Sequence, residues 1–175
     1  MKLPFILSVV WVASVALVAV GLVPSVASAQ MVIVVRHAER ADAGASAGNA
    51  MTAAPDPELS AAGKARAQAL ALMLKDAGVS AIYTTEFRRT KDTALPLADA
   101  LKLTAEVVSA RDQAALIAKI KANTTGAVLV VGHSNTVPAI IKSLGGADVT
   151  VADNEYDSLF FVAPGGATTR IRFKP

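Results

Sequence analysis

The chain has 175 residues, 53% of them hydrophobic, no cysteine and a net charge of +3. Without thiols there are no disulfides, no cysteine nucleophile, no sulfur-ligated zinc and no lipid-modified cysteine. The charge falls to about +2 once Lys2 is set aside, and no block of lysine and arginine stands out, which argues against nucleic acid as a partner. With no internal repeat, the length reads as one domain able to bury a full core.

Residues 1–29 carry Lys2, a long apolar run, Pro24 and the small-x-small triplet Ala27, Ser28, Ala29. That is the layout of a secretory signal peptide cleaved after Ala29, leaving 30–175 as an exported domain, periplasmic or extracellular. The apolar run, roughly 20 residues, is also long enough for an uncleaved membrane anchor. Cleavage would leave no stable membrane insertion.

Met31 to Val35 is short and β-branched, the composition of a strand covered on both faces. Ala41 to Glu58 is small, polar or proline-bearing and reads as a loop. Ser60 is placed to N-cap a helix through about Lys75, with Ala65, Ala69 and Leu72 expected on its buried face and Gly78 past its end. "SAIYTT" predicts a second strand, and Arg89 to Leu101 a second helix that Pro96 should kink or interrupt. A short strand at Glu106 to Val108 and a helix at Gln113 to Lys121 follow. The opening pattern then repeats: strand Ala127 to Val131, a turn at Gly132, and a helix from Thr136 to Leu144 closed by two glycines. The tail reads as a hairpin around Pro164, Gly165 and Gly166. Alternating β and α elements with a terminal β pair predict an α/β three-layer sandwich on a mostly parallel central sheet.

Ligands of open α/β sheets bind outside the carboxyl ends of the strands. The only two histidines, His37 and His133, both fall there, each behind a near-identical apolar strand. With Glu39 they could hold a divalent metal. Arg36, directly before His37, repels a metal and instead offers a fork of donors to an anion. Arginine and histidine together fit nucleophilic attack on phosphorus by a neutral imidazole. Arg88 and Arg89 open the second helix, where cations oppose the helix dipole unless an anion is near, and their side chains diverge by about 100°, one into the pocket and one out. His133, at the start of another helix, would complete the ring of donors.

"RHAER", "YTTEFRRTKDTA" and "GHSN", in this order and spacing, resemble the histidine phosphatase superfamily, the phosphoglycerate mutase-like fold, across essentially the whole mature chain. The resemblance implies a metal-independent phosphatase needing no cofactor. It makes His37 the phosphorylated nucleophile, Arg36 its neighbour, Arg89 rather than Arg88 the pocket arginine, and His133 the second histidine, with Asn135 a further contact near the phosphate. The glutamate insertion that supplies the general acid in many members is missing here. The role falls first to Glu39, with Asp56 and Glu58 behind it; equally, Glu39 could orient Arg36 or Arg40. The expected substrate is a small phosphomonoester or an envelope glycan phosphate. A phosphoglycerate mutase-like phosphotransferase, a metal hydrolase on His37, His133 and Glu39, and a non-catalytic phospholigand-binding module remain the alternatives.

Overall fold

The computed structural model describes residues 30–42 and 56–175. The expected signal segment and most of the loop after His37 lie outside the described residues. No described helix is long and apolar enough to cross a membrane.

Six strands and four helices alternate: β1 Val32–Arg36, α1 Ala61–Leu74, β2 Val79–Thr84, α2 Arg88–Leu101, β3 Glu106–Val107, α3 Gln113–Ala122, β4 Ala127–Gly132, α4 Thr136–Ser143, β5 Ser158–Val162 and β6 Thr168–Arg172. They form one sheet in the order β3-β2-β4-β1-β5-β6. The first four in that order run parallel; β5 pairs antiparallel with β1, and β6 pairs antiparallel with β5 to form the expected hairpin.

The two-residue period of the strands divides the core. Ile33, Val35, Leu129, Val131 and Leu159 face one way, onto Leu70, Leu74, Ala94 and Leu97 of α1 and α2. Val32, Val34, Val128, Val130 and Phe160 face the other, onto Leu116, Ile120, Val137 and Ile140 of α3 and α4. β1 and β4, buried on both faces, are therefore near-continuous valine, isoleucine and leucine. The result is a three-layer α/β sandwich.

Ser60 caps α1 as its sequence position suggests, its hydroxyl accepting from Gly63 N at 3.0 Å. The buried face of α1 differs from expectation. Gly63, Ala67, Leu70, Ala71 and Leu74 point inward, whereas Ala65 and Leu72 are exposed. The helix is apolar almost all round, so periodicity alone cannot choose its face. Gly63 does: a Cβ there would stand 2.2 Å from the Glu39 carbonyl oxygen, so only glycine lets the first turn rest on the chain beyond β1. Pro96 does not interrupt α2, which continues from Arg88 to Leu101.

Candidate active site

β1 and β4 are neighbours, parallel and in register, Val35 opposite Val131 and Arg36 opposite Gly132. The next residue on each strand is a histidine, and His37 N donates to Gly132 O at 2.9 Å. The two rings consequently meet edge to face with centroids 5.4 Å apart. After Gly132 the chain turns straight into α4, and His133 N donates to Thr136 Oγ1 at 2.8 Å. A Cβ on Gly132 would fall 2.8 Å from that same oxygen, so a larger residue would push the turn open.

Two guanidinium groups close on the pair. Arg36 Nη1 donates to Ala152 O (2.9 Å) and Glu155 O (3.0 Å), and its plane lies 4.1 Å from the Tyr156 ring centroid. Arg89 stacks on Phe87 at 4.2 Å, places Nη2 3.4 Å from His133 Nδ1 and Nη1 3.6 Å from Asp56. Both retain a buried Nε with no partner among the described residues, an arrangement that favours an anion between them. Arg88 turns outward and pairs with Glu58 and Asp92. His37, His133, Arg36 and Arg89 line a cleft of about 1040 Å³.

His37 Nδ1 lies 2.8 Å from Ala38 O. A carbonyl only accepts, so Nδ1 carries the hydrogen and Nε2 presents a lone pair. Burial, reinforced by Arg36, Arg89 and His133 and opposed by the Ala38 bond, lowers the His37 pKa to about 3. Burial and Arg89 lower that of His133 to about 4. Both rings are neutral at neutral pH.

Glu39 is not bound to Arg36 or Arg40. Arg66 of α1 holds it bidentately, with Arg66 Nε at 3.0 and 2.9 Å and Nη2 at 2.7 Å, and Arg40 pairs with Asp42. Burial alone would raise the Glu39 pKa, yet the Arg66 hydrogen bonds and charge bring it below the usual carboxylate value. Asp56 takes the Arg88 backbone N–H at 2.8 and 3.1 Å, capping a helix whose N-cap residue, Phe87, has no side chain to do so. Glu58 is outside the cleft, on Lys64 and Arg88. Asn135 lines the cleft near His133. No group of three metal-ligating side chains gathers among the described residues, and Glu39, required for a metal reading, is committed to Arg66.

Two cleft residues, Tyr156 and Phe87, escape a reading by motif. Tyr156 packs against both Arg36 and His37, the latter at 6.1 Å between centroids. Phe87 meets His133 edge to face at 5.3 Å. Thr85 Oγ1 lies 3.1 Å from His133 Nε2. The aromatic residue and hydroxyl inside "TTEFRR" were available as signals; Tyr156, 119 residues beyond His37, gave none.

Residues 32–111 match the model of the histidine phosphatase superfamily, branch 1. The resemblance to this superfamily is thereby shown over residues 32–111. The matched segment carries Arg36, His37 and Arg89, and the parallel register of β1 and β4 adds His133 from outside it. A search of curated proteins finds no match. Among solved structures, the chain is similar to mycobacterial glucosyl-3-phosphoglycerate phosphatase with inorganic phosphate (TM-score 0.60, 15% identity, 83% of this chain and 97% of that one). It is also similar to the protein histidine phosphatase SixA complexed with tungstate (0.58, 20%, 81% and 94%). A third is phosphoserine phosphatase of Entamoeba histolytica with 3-phosphoglyceric acid (0.56, 15%, 83% and 97%). At these identities the likenesses establish the fold.

Proposed function

We propose that this protein is an exported phosphatase that hydrolyses a phosphomonoester through a phosphohistidine on His37. The observation that carries the reading is the His37 tautomer: Nδ1–H is spent on Ala38 O, and the Nε2 lone pair remains, buried and neutral, beside two arginines. In the first step the Nε2 lone pair attacks phosphorus while the P–O bond to the alcohol breaks and its electrons leave with that oxygen. In the second, water attacks phosphorus as the P–N bond breaks and its pair returns to Nε2; the proton that water gives up passes to solvent, which supplies the proton taken by the departed alcohol oxygen. Arg36, Arg89 and His133 stabilise the equatorial oxygens throughout, which is most of what phosphoryl transfer needs. No step requires a metal or cofactor. Export rests on the layout of residues 1–29. Arg111 lines the cleft without an ion-pair partner among the described residues, available to the remainder of the substrate.

One observation favours a second substrate class. A poor alkoxide leaving group needs a proton, yet the Arg66 hydrogen bonds and charge keep the Glu39 pKa below its usual value, Asp42 pairs with Arg40, and Asp153 accepts from Ser134 Oγ. Residues 43–55 contain no carboxylic acid at all. A phosphoramidate such as phosphohistidine, in keeping with the name of the protein histidine phosphatase SixA, has a leaving nitrogen that departs more readily. A panel of phosphomonoesters and phosphoramidates, each assayed with and without chelator, tests both. Turnover of at least one class, insensitive to chelator and abolished by His37→Ala, is the expected result; chelator-sensitive turnover that survives His37→Ala would overturn the proposal.

A further inference from the structure

Both ring nitrogens of His133 are engaged, and counting hydrogens fixes which one is protonated. On the pocket side, Nδ1 lies 3.4 Å from Arg89 Nη2. A guanidinium has hydrogens and no lone pair to offer, so the nitrogen facing it in a neutral ring must be the acceptor. On the other side, Nε2 lies 3.1 Å from Thr85 Oγ1, which lies 2.9 Å from Thr90 Oγ1. Thr90 has one hydroxyl hydrogen and two carbonyls to receive it, Phe87 O at 2.8 Å and Thr85 O at 3.1 Å. With that hydrogen committed, Thr90 Oγ1 accepts the Thr85 hydroxyl, and Thr85 Oγ1 is left to accept from His133 Nε2–H. Two independent counts, one from each side of the ring, arrive at the same tautomer. All three members of the chain are buried, where a mismatched donor pair is costly.

We propose that Thr85, backed by Thr90, is a positioning residue that holds His133 as the Nε2–H tautomer, opposite to the Nδ1–H tautomer of His37, so that the phosphoryl group binds together with one proton at His133 Nδ1. The phosphoryl part of this inference rests on the function proposed above; the tautomer part does not. An Nδ1 lone pair and a phosphoryl dianion oxygen are both acceptors and repel. One proton taken from solvent, or carried in on a phosphoryl monoanion, turns the contact into a hydrogen bond. Burial, together with Arg89 and Arg36 facing the ring, opposes charging it, Glu86 favours it, and His37 stands 5.4 Å away between centroids. The added anion tips this balance. The arrangement keeps His133 from competing as a nucleophile while free of phosphate, because its pocket nitrogen is bound by Arg89.

The chain has two histidines, so histidine-selective ¹⁵N labelling yields four ring nitrogens, assigned with His37→Gln. At neutral pH the expected spectrum shows one neutral ring protonated at Nδ1 (His37) and one at Nε2 (His133). Saturating inorganic phosphate should protonate His133 Nδ1. Thr85→Val removes the acceptor, should bring the Nδ1–H form of His133 into exchange, and should lower kcat about tenfold, the usual effect of losing one buried hydrogen bond. Thr85→Ser should restore both spectrum and rate. Should Thr85→Val not fold, Thr90→Ala, which releases the Thr85 hydroxyl to rotate toward Nε2, reads the same equilibrium. His133 found as Nδ1–H in the parent protein, or an unchanged His133 spectrum in a folded Thr85→Val or Thr90→Ala variant, would overturn the proposal. The expected tautomers in a protein that turns over no phosphorylated compound would uphold the positioning role and remove the phosphatase reading alone.

Discussion

The ends of β1 and β4 are the same sequence idea used twice: a buried five- or six-residue strand followed at once by a histidine. Their surroundings differ. Beyond β1 the chain leaves the sheet without entering a helix, and the nearest acceptor for His37 is the carbonyl of Ala38. Beyond β4 the chain turns immediately into α4, and the nearest partner for His133 is a hydroxyl on another element. A carbonyl dictates the hydrogen's position outright, whereas a hydroxyl passes the choice to its own neighbours. Strand and residue are therefore alike at the two sites while the free nitrogen, and with it the chemical role, is set by what each turn brings alongside.

The sharpest way to break that comparison is to remove each ring in turn. His37→Ala should lose all measurable turnover, while His133→Ala should retain a residual rate, since it loses a stabilising group and not the nucleophile; equal loss from both in a steady-state assay would deny the division of roles. Next in size is the arginine clamp. Arg36→Ala and Arg89→Ala should each cost about 2 to 4 kcal/mol in kcat/KM, as removal of a preorganised oxyanion donor does. Arg88→Ala, on the outer face of α2, should change it little. A larger loss from Arg88 than from Arg89 would contradict the orientation of this helix.

The pH dependence of stability sharpens the comparison further. Folding lowers His37 to about 3 and His133 to about 4 from their ordinary 6.5. Between pH 6.5 and these values the unfolded chain binds more protons than the folded one, so stability is full above 6.5 and declines as pH falls through the window. Urea midpoints between pH 6.5 and 5, above the range where carboxylates titrate, should fall in the parent protein. His37→Gln should roughly halve that decline; an undiminished decline would mean the slope comes from elsewhere. The smallest effect concerns Glu39. Glu39→Gln breaks the bidentate grip of Arg66 and should cost about 1 to 3 kcal/mol of stability, with little change in turnover of nitrophenyl phosphate and of an alkyl phosphate alike. A loss confined to the alkyl phosphate would restore Glu39 as the acid.

Much of this was legible because local signals and tertiary demands coincide. Val32 to Val35 and Ala127 to Val131 are buried on both faces, so their composition announces their position, and Ser60 caps α1 through an atom three residues away. What was not legible depends on partners distant in sequence. The Arg66 grip on Glu39 spans 27 residues, and the Arg36 bonds to Ala152 and Glu155 span 116 and 119. The face of α1 departs from its sequence pattern for a related reason: in an alanine-rich helix the choice is made by a contact with another segment, Gly63 on Glu39, and not by the helix's own pattern.

The central claim is that phosphorus becomes bonded to His37 Nε2. It is tested most directly by quenching the protein within its first turnover of a ³²P-labelled substrate and mapping the acid-labile label by peptide. The label is expected on the peptide containing His37, at Nε2, in the parent protein and in His133→Ala, and none in His37→Ala. Label on the peptide containing His133, or an acid-stable label on serine or threonine, would contradict it.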